Sequence, residues 1–190
     1  MAINRGKKFE AIVHEAFEKV PNVTILRMHD QTMGFSGGAN ICDFVGYKKP
    51  FFYLIECKSV HGNTLSIHSN PKPDKRGVLH GFYGDITDKQ WEGLMVESQN
   101  EGILAGILCW WVDKDVTKFI PIQNLVRYRD TGAKSVRFDT EFMTLHDRYT
   151  GEIYEPIVLD GKKKRVFFDY DVSKFFKEAE SLLRGDKYDV

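Results

Sequence analysis

Hydrophobic side chains recur three or four residues apart through the first twenty residues of the chain, and Pro21 follows the last of them. The apolar positions are Phe9, Ile12, Val13, Ala16, Phe17 and Val20. This spacing predicts an amphipathic helix over residues 5–20. The segment DITDKQWEGLMVESQNEG predicts a second helix, which Asp85 or Thr87 can cap at its start and Gly102 at its end.

Short runs of β-branched and aromatic residues predict the strands. In chain order they are VTILRM, ICDFVGY, FFYLIECK, ILAGILCWWV, VTKFIPI and RVFFDY. The intervening KKP predicts a tight turn that pairs the second run with the third, and ILAGILCWWV predicts a central strand covered on both faces, with Trp110 and Trp111 in the core. A short helix near residues 121–127 and a closing helix from Ser173 to Leu183 complete an α/β or α+β pattern, a mixed sheet flanked by helices.

Composition narrows the class of protein only slightly. The chain has 190 residues, of which 42% are hydrophobic, and this is enough for one domain with a sizeable core. It carries 27 basic and 27 acidic residues, so net charge gives no argument for nucleic-acid binding. A local basic groove, offset by acidic residues elsewhere, remains compatible with this balance.

The cysteine content and the N-terminus both favour a cytoplasmic protein. Cys42, Cys57 and Cys109 lie in apolar segments and are odd in number, which predicts buried, reduced thiols. MAINRGKKFEA contains no apolar run of the kind found in signal peptides. The longest apolar segment, GILAGILCWWV, is too short to span a bilayer.

Two carboxylates and a lysine lie within the apolar strands: Asp43, Glu56 and Lys58. Side chains two residues apart share a face of a strand, so Glu56 and Lys58 emerge together. The preceding strand returns antiparallel and can place Asp43 beside Glu56. Adjacent carboxylates repel, and a divalent cation such as Mg²⁺, which prefers oxygen ligands, relieves that repulsion. With a lysine to orient water or stabilise developing negative charge, the pattern predicts phosphodiester hydrolysis.

An exposed ion pair at the end of a strand is the alternative interpretation of Glu56 and Lys58, because Glu-x-Lys alone is common. Three coincident features favour the chemical interpretation. The strand before Glu56 is strongly apolar, Asp43 lies in the adjacent strand, and a helix that carries Glu10 precedes both.

The two strands ICDFVGY and FFYLIECKS resemble the core of the PD-(D/E)xK nucleases. Asp43, Glu56 and Lys58 match the motif residues, Cys57 is the variable position, and Cys42 stands where the name of the motif has proline. The resemblance implies a restriction-endonuclease-like fold, a mixed β-sheet flanked by helices. Within that group of nucleases, the chain resembles RecU-type Holliday junction resolvases, including phage-encoded versions, most strongly. The matching motifs, over residues 3–128, are NRGKKFE, DFVGYKKPFFYLIECKS, LSI and ITDKQWEGLMVESQNEGILAGILCWWV.

This resemblance implies a function and a set of site residues. Glu10, Asp43, Glu56 and Lys58 would be catalytic, with Gln90 as an accessory residue. Mg²⁺ or Mn²⁺ would bind Asp43, Glu56, Glu10 and the backbone carbonyl of Cys57. The protein would be a homodimer that cuts four-way DNA junctions symmetrically during recombination and repair.

Three regions depart from the RecU pattern. HDQTMGFSGGAN stands where those resolvases carry a long stalk, so the stalk is shortened and junction selectivity becomes doubtful. Residues 69–85 are an insertion. Residues 129–190 match poorly and are expected to be a C-terminal extension of the single nuclease domain, with no assigned role.

Two of the site residues have structural interpretations as well. Glu10 can be a glutamate near the start of a helix, favoured by the helix dipole. Gln90 follows Thr87 at the spacing of a capping box, and we weigh the two interpretations equally.

Arg5, Lys7, Lys72, Lys75 and Arg76 are candidate DNA-binding residues. The first two lie near a helix N-terminus, where phosphate binds readily. The other three, in the insertion, would contact the DNA backbone. The alternative is a solvated helix face and a solvated loop.

Two other functions compete with junction resolution. One is a PD-(D/E)xK nuclease for other branched, nicked or linear DNA, because the fold core alone does not select the substrate. The other is a DNA-binding module without catalysis. The presence of Asp43, Glu56 and Lys58 argues against a module without catalysis.

Overall fold

The computed structural model describes residues 5–28, 40–68, 72–73, 77, 79–80, 82–142, 155–165 and 167–184. Within them the helices are α1 (Arg5–Glu18), α2 (Asp88–Glu97), α3 (Ile122–Asp130) and α4 (Ser173–Arg184). The strands, in chain order, are β1 (Thr24–Arg27), β2 (Phe44–Lys48), β3 (Phe51–Val60), β4 (Thr64–Ser66), β5 (Lys72–Pro73), β6 (Leu79–His80), β7 (Phe82–Tyr83), β8 (Ile86–Thr87), β9 (Ile103–Trp111), β10 (Val116–Pro121), β11 (Ser135–Arg137), β12 (Ile157–Val158), β13 (Gly161–Lys163) and β14 (Phe168–Tyr170).

One six-stranded mixed sheet organises the molecule, in the order β1-β2-β3-β9-β10-β12. Strand β3 pairs with β9 in parallel, and every other neighbouring pair is antiparallel. A parallel pair needs a long crossover, and this crossover contains α2. The predicted α/β fold, a mixed sheet flanked by helices, is therefore confirmed.

Two apolar layers hold the helices on the sheet. Helices α1 and α4 cover one face, through Phe9 and Phe17 of α1 and Phe175 of α4. Helices α2 and α3 cover the other face, where Trp91 and Leu125 are buried. Strand β9 is buried along almost its whole length and sends alternate side chains into each layer, as its uninterrupted apolar sequence predicted.

Both tryptophans of β9 lie in the core, as predicted. Trp110 joins the layer of α1, with its ring centroid 5.6 Å from that of Phe9, and Trp111 joins the layer of α2. Cys42, Cys57 and Cys109 are all buried and form no disulfide, in agreement with the prediction of reduced thiols.

The predicted end of the second helix is wrong. Helix α2 begins after Thr87, as one of the two predicted caps allows, but it ends at Glu97. After Ser98 the amides of Gln99 and Asn100 donate to carbonyls three residues back, on Val96 and Glu97, so the α-helical bonding pattern stops there. Gly102, with φ of +78°, instead forms the left-handed turn that leads into β9.

The long polar stretch after β3 contains short paired strands. Strand β4 pairs with β11, β5 with β6, and β7 with β8. None of the helices described is long and apolar enough to cross a lipid bilayer.

Candidate active site

The β2–β3 hairpin brings Asp43 close to Glu56. Phe44 pairs with Ile55 in the antiparallel register, and the Asp43 amide donates to the Ile55 carbonyl at 3.1 Å. Asp43 lies directly before β2 and shares Ile55 with Phe44, so the regular pairing is interrupted there. The tight turn predicted from KKP still brings the two strands together, and the Asp43 carboxylate is near enough to raise the pKa of Glu56.

Asp43 is held by the backbone of the neighbouring strand. Its Oδ2 accepts a hydrogen bond from the Cys57 amide at 2.7 Å. The amide and carbonyl of one strand residue point to the same side, so the Cys57 carbonyl also faces the edge where Asp43 lies. The Cys57 side chain points to the opposite face and packs in the layer of α1.

Glu56 is a buried carboxylate, only 3% exposed. Its Oε1 accepts hydrogen bonds from Gln90 Nε2 at 2.5 Å and from Lys58 Nζ at 2.8 Å. Its Oε2 is buried without a hydrogen-bond partner among the residues described. Lys58 also donates to Gln90 Oε1 at 3.3 Å, so the three side chains form one network.

Gln90 caps the start of α2 and also contacts Glu56. The Thr87 hydroxyl accepts from the Gln90 amide, and Gln90 Oε1 accepts from the Thr87 amide, which completes a capping box. The same side chain donates to Glu56. Gly93 allows α2 to approach, since a Cβ there would lie 2.3 Å from a side-chain carbon of Ile41, two residues before Asp43.

Glu10 reaches the site from α1 and is paired with Arg27 of β1. Arg27 Nη2 donates to Glu10 Oε2 at 2.5 Å. The Asp43 carboxylate is near enough to raise the pKa of Glu10, so the helix brings a third carboxylate to the group. Arg27 was not among the site residues predicted from the sequence. Alternation in TILR places it on the same face as Ile25, which packs with the layer of α1, but nothing local indicates its partner.

Burial dominates the electrostatics of these carboxylates. Burial raises the pKa of Glu56 to about 8; the Lys58 ammonium opposes this rise and the Asp43 carboxylate adds to it. Burial also raises the pKa of Asp43, although the hydrogen bond from the Cys57 amide favours the ionised form. The pKa of Glu10 is raised by burial first and by Asp43 second, against the lowering effect of Arg27.

The donor set fits a divalent cation of the magnesium type. A buried carboxylate oxygen normally has a hydrogen-bond partner, and Oε2 of Glu56 has none in the described part of the chain. Asp43 and the Cys57 carbonyl lie on the adjacent edge. Over the same residues, no three His, Cys, Asp or Glu side chains form a preassembled metal group. Mg²⁺ needs only one or two carboxylates, because it keeps several of its waters.

The structure describes part of the predicted DNA-binding set. Arg5 is exposed and lies 2.8 Å from the His61 ring, close to the end of β3. Lys7 is near enough to Glu10 to lower its pKa. The side chains of Lys72, Lys75 and Arg76 lie outside the described residues, as do residues 29–39, where the shortened stalk was predicted.

The sequence matches no known protein family and no curated protein. Two solved structures show a likeness in fold. Hjc, a Holliday junction resolvase from the archaeal hyperthermophile Archaeoglobus fulgidus, aligns with a TM-score of 0.41 and 17% identity, covering 63% of this chain and 78% of that protein. A bacterial homing endonuclease aligns with a TM-score of 0.43 and 10% identity, covering 96% of each chain.

Proposed function

We propose that this protein is a metal-dependent endonuclease that hydrolyses phosphodiester bonds in DNA. One observation carries the proposal: Lys58 and Gln90 contact one oxygen of the buried Glu56 carboxylate, and its other oxygen has no hydrogen-bond partner among the residues described. Asp43 lies near enough to raise the pKa of Glu56. A buried polar atom without a partner is unfavourable, so this arrangement needs a chemical reason.

The cation would be held by Asp43, Glu56 and the Cys57 carbonyl, with Glu10 at the edge of the group. When bound, Mg²⁺ or Mn²⁺ would lower the pKa of a coordinated water and neutralise charge on the phosphate. Glu56 must be ionised to bind a cation, and the Lys58 ammonium favours that state.

Lys58 is the residue that we assign to the phosphate. Its ammonium is held by Glu56 Oε1 and Gln90 Oε1, so its position is set before substrate arrives. Its side chain is 19% exposed, which leaves the remaining donor capacity accessible from solvent. It would stabilise the oxygen that gains negative charge, or orient the attacking water.

We further propose that the substrate is a four-way junction and that the protein acts as a homodimer of the RecU type. The order of the motifs over residues 3–128 supports this choice. A junction offers two equivalent strands, and a two-fold dimer presents two matching sites to them.

Cleavage of labelled DNA tests the proposal. A four-way junction, a nicked duplex and a linear duplex are incubated with protein and Mg²⁺, Mn²⁺ or EDTA. We expect metal-dependent, symmetric cuts in the junction. Asp43→Asn and Glu56→Gln should each abolish cleavage and leave DNA binding nearly unchanged, because removing negative charge does not weaken backbone contacts.

The other outcomes identify the competing functions. Equal cleavage of all three DNAs would indicate a nuclease without junction preference. DNA binding without cleavage under any metal would indicate a binding module. Cleavage at the wild-type rate by both carboxylate variants would remove the metal site from the mechanism.

A further inference from the structure

The β13–β14 hairpin packs against the core of the molecule, although it lies in the C-terminal extension. Tyr170 is buried, its hydroxyl is 2.8 Å from that of Thr117, and its ring packs edge-on against Phe9 of α1. Phe167 packs on Trp110 with ring centroids 5.7 Å apart. The Lys164 amide donates to the Phe167 carbonyl at 2.7 Å and closes the hairpin.

The outer surface of this hairpin carries four consecutive basic residues. Lys162, Lys163, Lys164 and Arg165 are all exposed. Lys163 is paired with Asp115, and Lys164 lies 3.3 Å from Asp169. Among the described residues, no carboxylate pairs with Lys162 or Arg165. Two positive charges are therefore available to an anionic partner, held on an anchored turn rather than a free tail.

The fold places this hairpin beside the N-terminus of α1. The turn between β9 and β10 bridges them. On one side its Asp113 bonds His61, and His61 in turn contacts Arg5 of α1. On the other side its Asp115 pairs with Lys163 of the hairpin. Lys8 and Lys19 of α1 and Lys164 of the hairpin also line one groove, in which Lys19 is paired with Glu15 and Lys164 with Asp169.

The resulting basic surface continues to the candidate active site. Lys7 lies on α1 one turn before Glu10, and Glu10 pairs with Arg27, which stands opposite Phe44, the residue after Asp43. His61 follows Lys58 by three residues at the end of β3. A strand of DNA that passes the active site would thus meet the N-terminus of α1 and then the hairpin.

We infer that the β13–β14 hairpin, with Lys8 and the N-terminal residues of α1, is a backbone-binding surface that holds one arm of the DNA substrate. The inference rests on the proposed function for its ligand. It assigns a role to residues 161–165, which lie outside the region that resembles the resolvases. Closely spaced lysine and arginine side chains contact phosphates regardless of sequence, so the surface sets affinity and orientation rather than the cut position.

Removal of the two unpaired charges tests the inference. The double variant Lys162→Gln/Arg165→Gln is compared with wild type. Fluorescence anisotropy measures the affinity of each protein for labelled duplex and junction DNA over a salt series. EDTA is present so that cleavage cannot interfere. If each side chain contacts one phosphate, the slope of log affinity against log salt should fall by about 2. Affinity at 0.1 M salt should fall by about 10- to 50-fold.

Two control variants separate charge position from charge number and from folding. The first control, Lys49→Gln/Arg184→Gln, also removes one lysine and one arginine. These lie at the opposite end of β3, where Arg184 stacks on Phe51. DNA affinity and its salt slope should stay near the wild-type values. Lys162→Arg/Arg165→Lys keeps both charges on the hairpin and should bind like wild type. Thermal melts should agree among the hairpin variants, because both side chains are exposed.

The outcomes also distinguish this inference from the proposed function. If wild type binds and cleaves DNA but the hairpin variant keeps its affinity and salt slope, the inference is wrong and the nuclease proposal stands. Equal losses in the hairpin and far-end variants would also overturn it, because they would show a general charge effect. If wild type binds no DNA at all, both proposals fall.

Discussion

Two carboxylates in this protein each pair with a basic side chain two residues away, yet they differ in protonation. The Glu56–Lys58 pair and the Arg137–Asp139 pair both close at 2.8 Å. The first pair has side chains 4% and 19% exposed, and the second 53% and 48%. The pKa of Glu56 is raised to about 8, whereas the hydrogen bond from Arg137 lowers the pKa of Asp139.

The difference shows that burial, rather than the ion pair itself, determines the state of the carboxylate. In water, desolvation is negligible and the nearby cation favours ionisation of Asp139. Around Glu56 the loss of water outweighs the same contact with a cation. A buried ion pair of this kind is weak evidence that the pair stabilises the fold. A bound divalent cation, as proposed above, explains the buried carboxylate better.

The largest expected effect comes from removing the cation of the buried pair. Lys58→Met should reduce single-turnover DNA cleavage by at least about 100-fold, because the charge on the phosphate then has no fixed donor. Arg137→Met, the equivalent change in the exposed pair, should leave the rate within about twofold. A Lys58→Met protein that cuts near the wild-type rate would exclude Lys58 from the chemistry.

The pH dependence of stability should differ between the two pairs. The pKa of Glu56 rises from 4.5 to about 8 on folding, so folding favours its protonated form. Its contribution to the free energy of unfolding is fully present below pH 4.5 and is lost as the pH rises through 8. The loss reaches roughly 4 kcal/mol by linkage. Urea unfolding without divalent cations at pH 5 and pH 8.5 measures it.

Matched variants sharpen that measurement. Glu56→Gln should flatten the dependence between pH 5 and 8.5. Asp139→Asn should leave it unchanged, because Asp139 has a lowered pKa and is ionised in both states over this range. Adding Mg²⁺ at pH 8.5 should stabilise wild type and not Glu56→Gln. Equal effects of Mg²⁺ on both proteins would count against a cation at Glu56.

Gln90 is a third partner that the exposed pair lacks, and its two roles can be separated. Thr87→Ala removes part of the helix cap and should lower stability by about 1 kcal/mol with little change in cleavage. Gln90→Glu keeps a residue that suits a capping box but sets a carboxylate against Glu56. It should slow cleavage by about tenfold, because it disfavours ionised Glu56. Wild-type cleavage by Gln90→Glu would leave Gln90 with the capping role alone.

The smallest expected effect is loss of the exposed pair itself. A double-mutant cycle on Arg137→Ala and Asp139→Ala should give a coupling free energy close to zero, which falls further with added salt. Urea unfolding at pH 7 provides the measurement. A larger, salt-independent coupling would show that the pair is less hydrated than its exposure indicates.

Local patterns in the sequence predicted the elements that carry the site. Alternation along FFYLIECK placed Glu56 and Lys58 on one face, and a short turn paired β2 with β3 so that Asp43 lies near Glu56. Both follow from backbone geometry over a few residues. The end of α2 was mispredicted because Gly102 suits a helix cap and a tight turn equally well, and the helix ends earlier, where the Gln99 and Asn100 amides bond carbonyls three residues back.

The sequence alone therefore determined which residues could do chemistry, because strand alternation and helix capping depend on near neighbours. Only the tertiary structure decided how they meet. Glu10 pairs with Arg27, and Gln90 reaches Glu56 across 34 positions, through packing of helices on opposite faces of the sheet. From its local sequence alone, the basic run at 162–165 is indistinguishable from any solvent-exposed charged segment. It lies near α1 because the buried Tyr170 packs against that helix and the partly buried Phe167 packs on Trp110 of β9, a long-range effect of the hydrophobic core that no local pattern encodes.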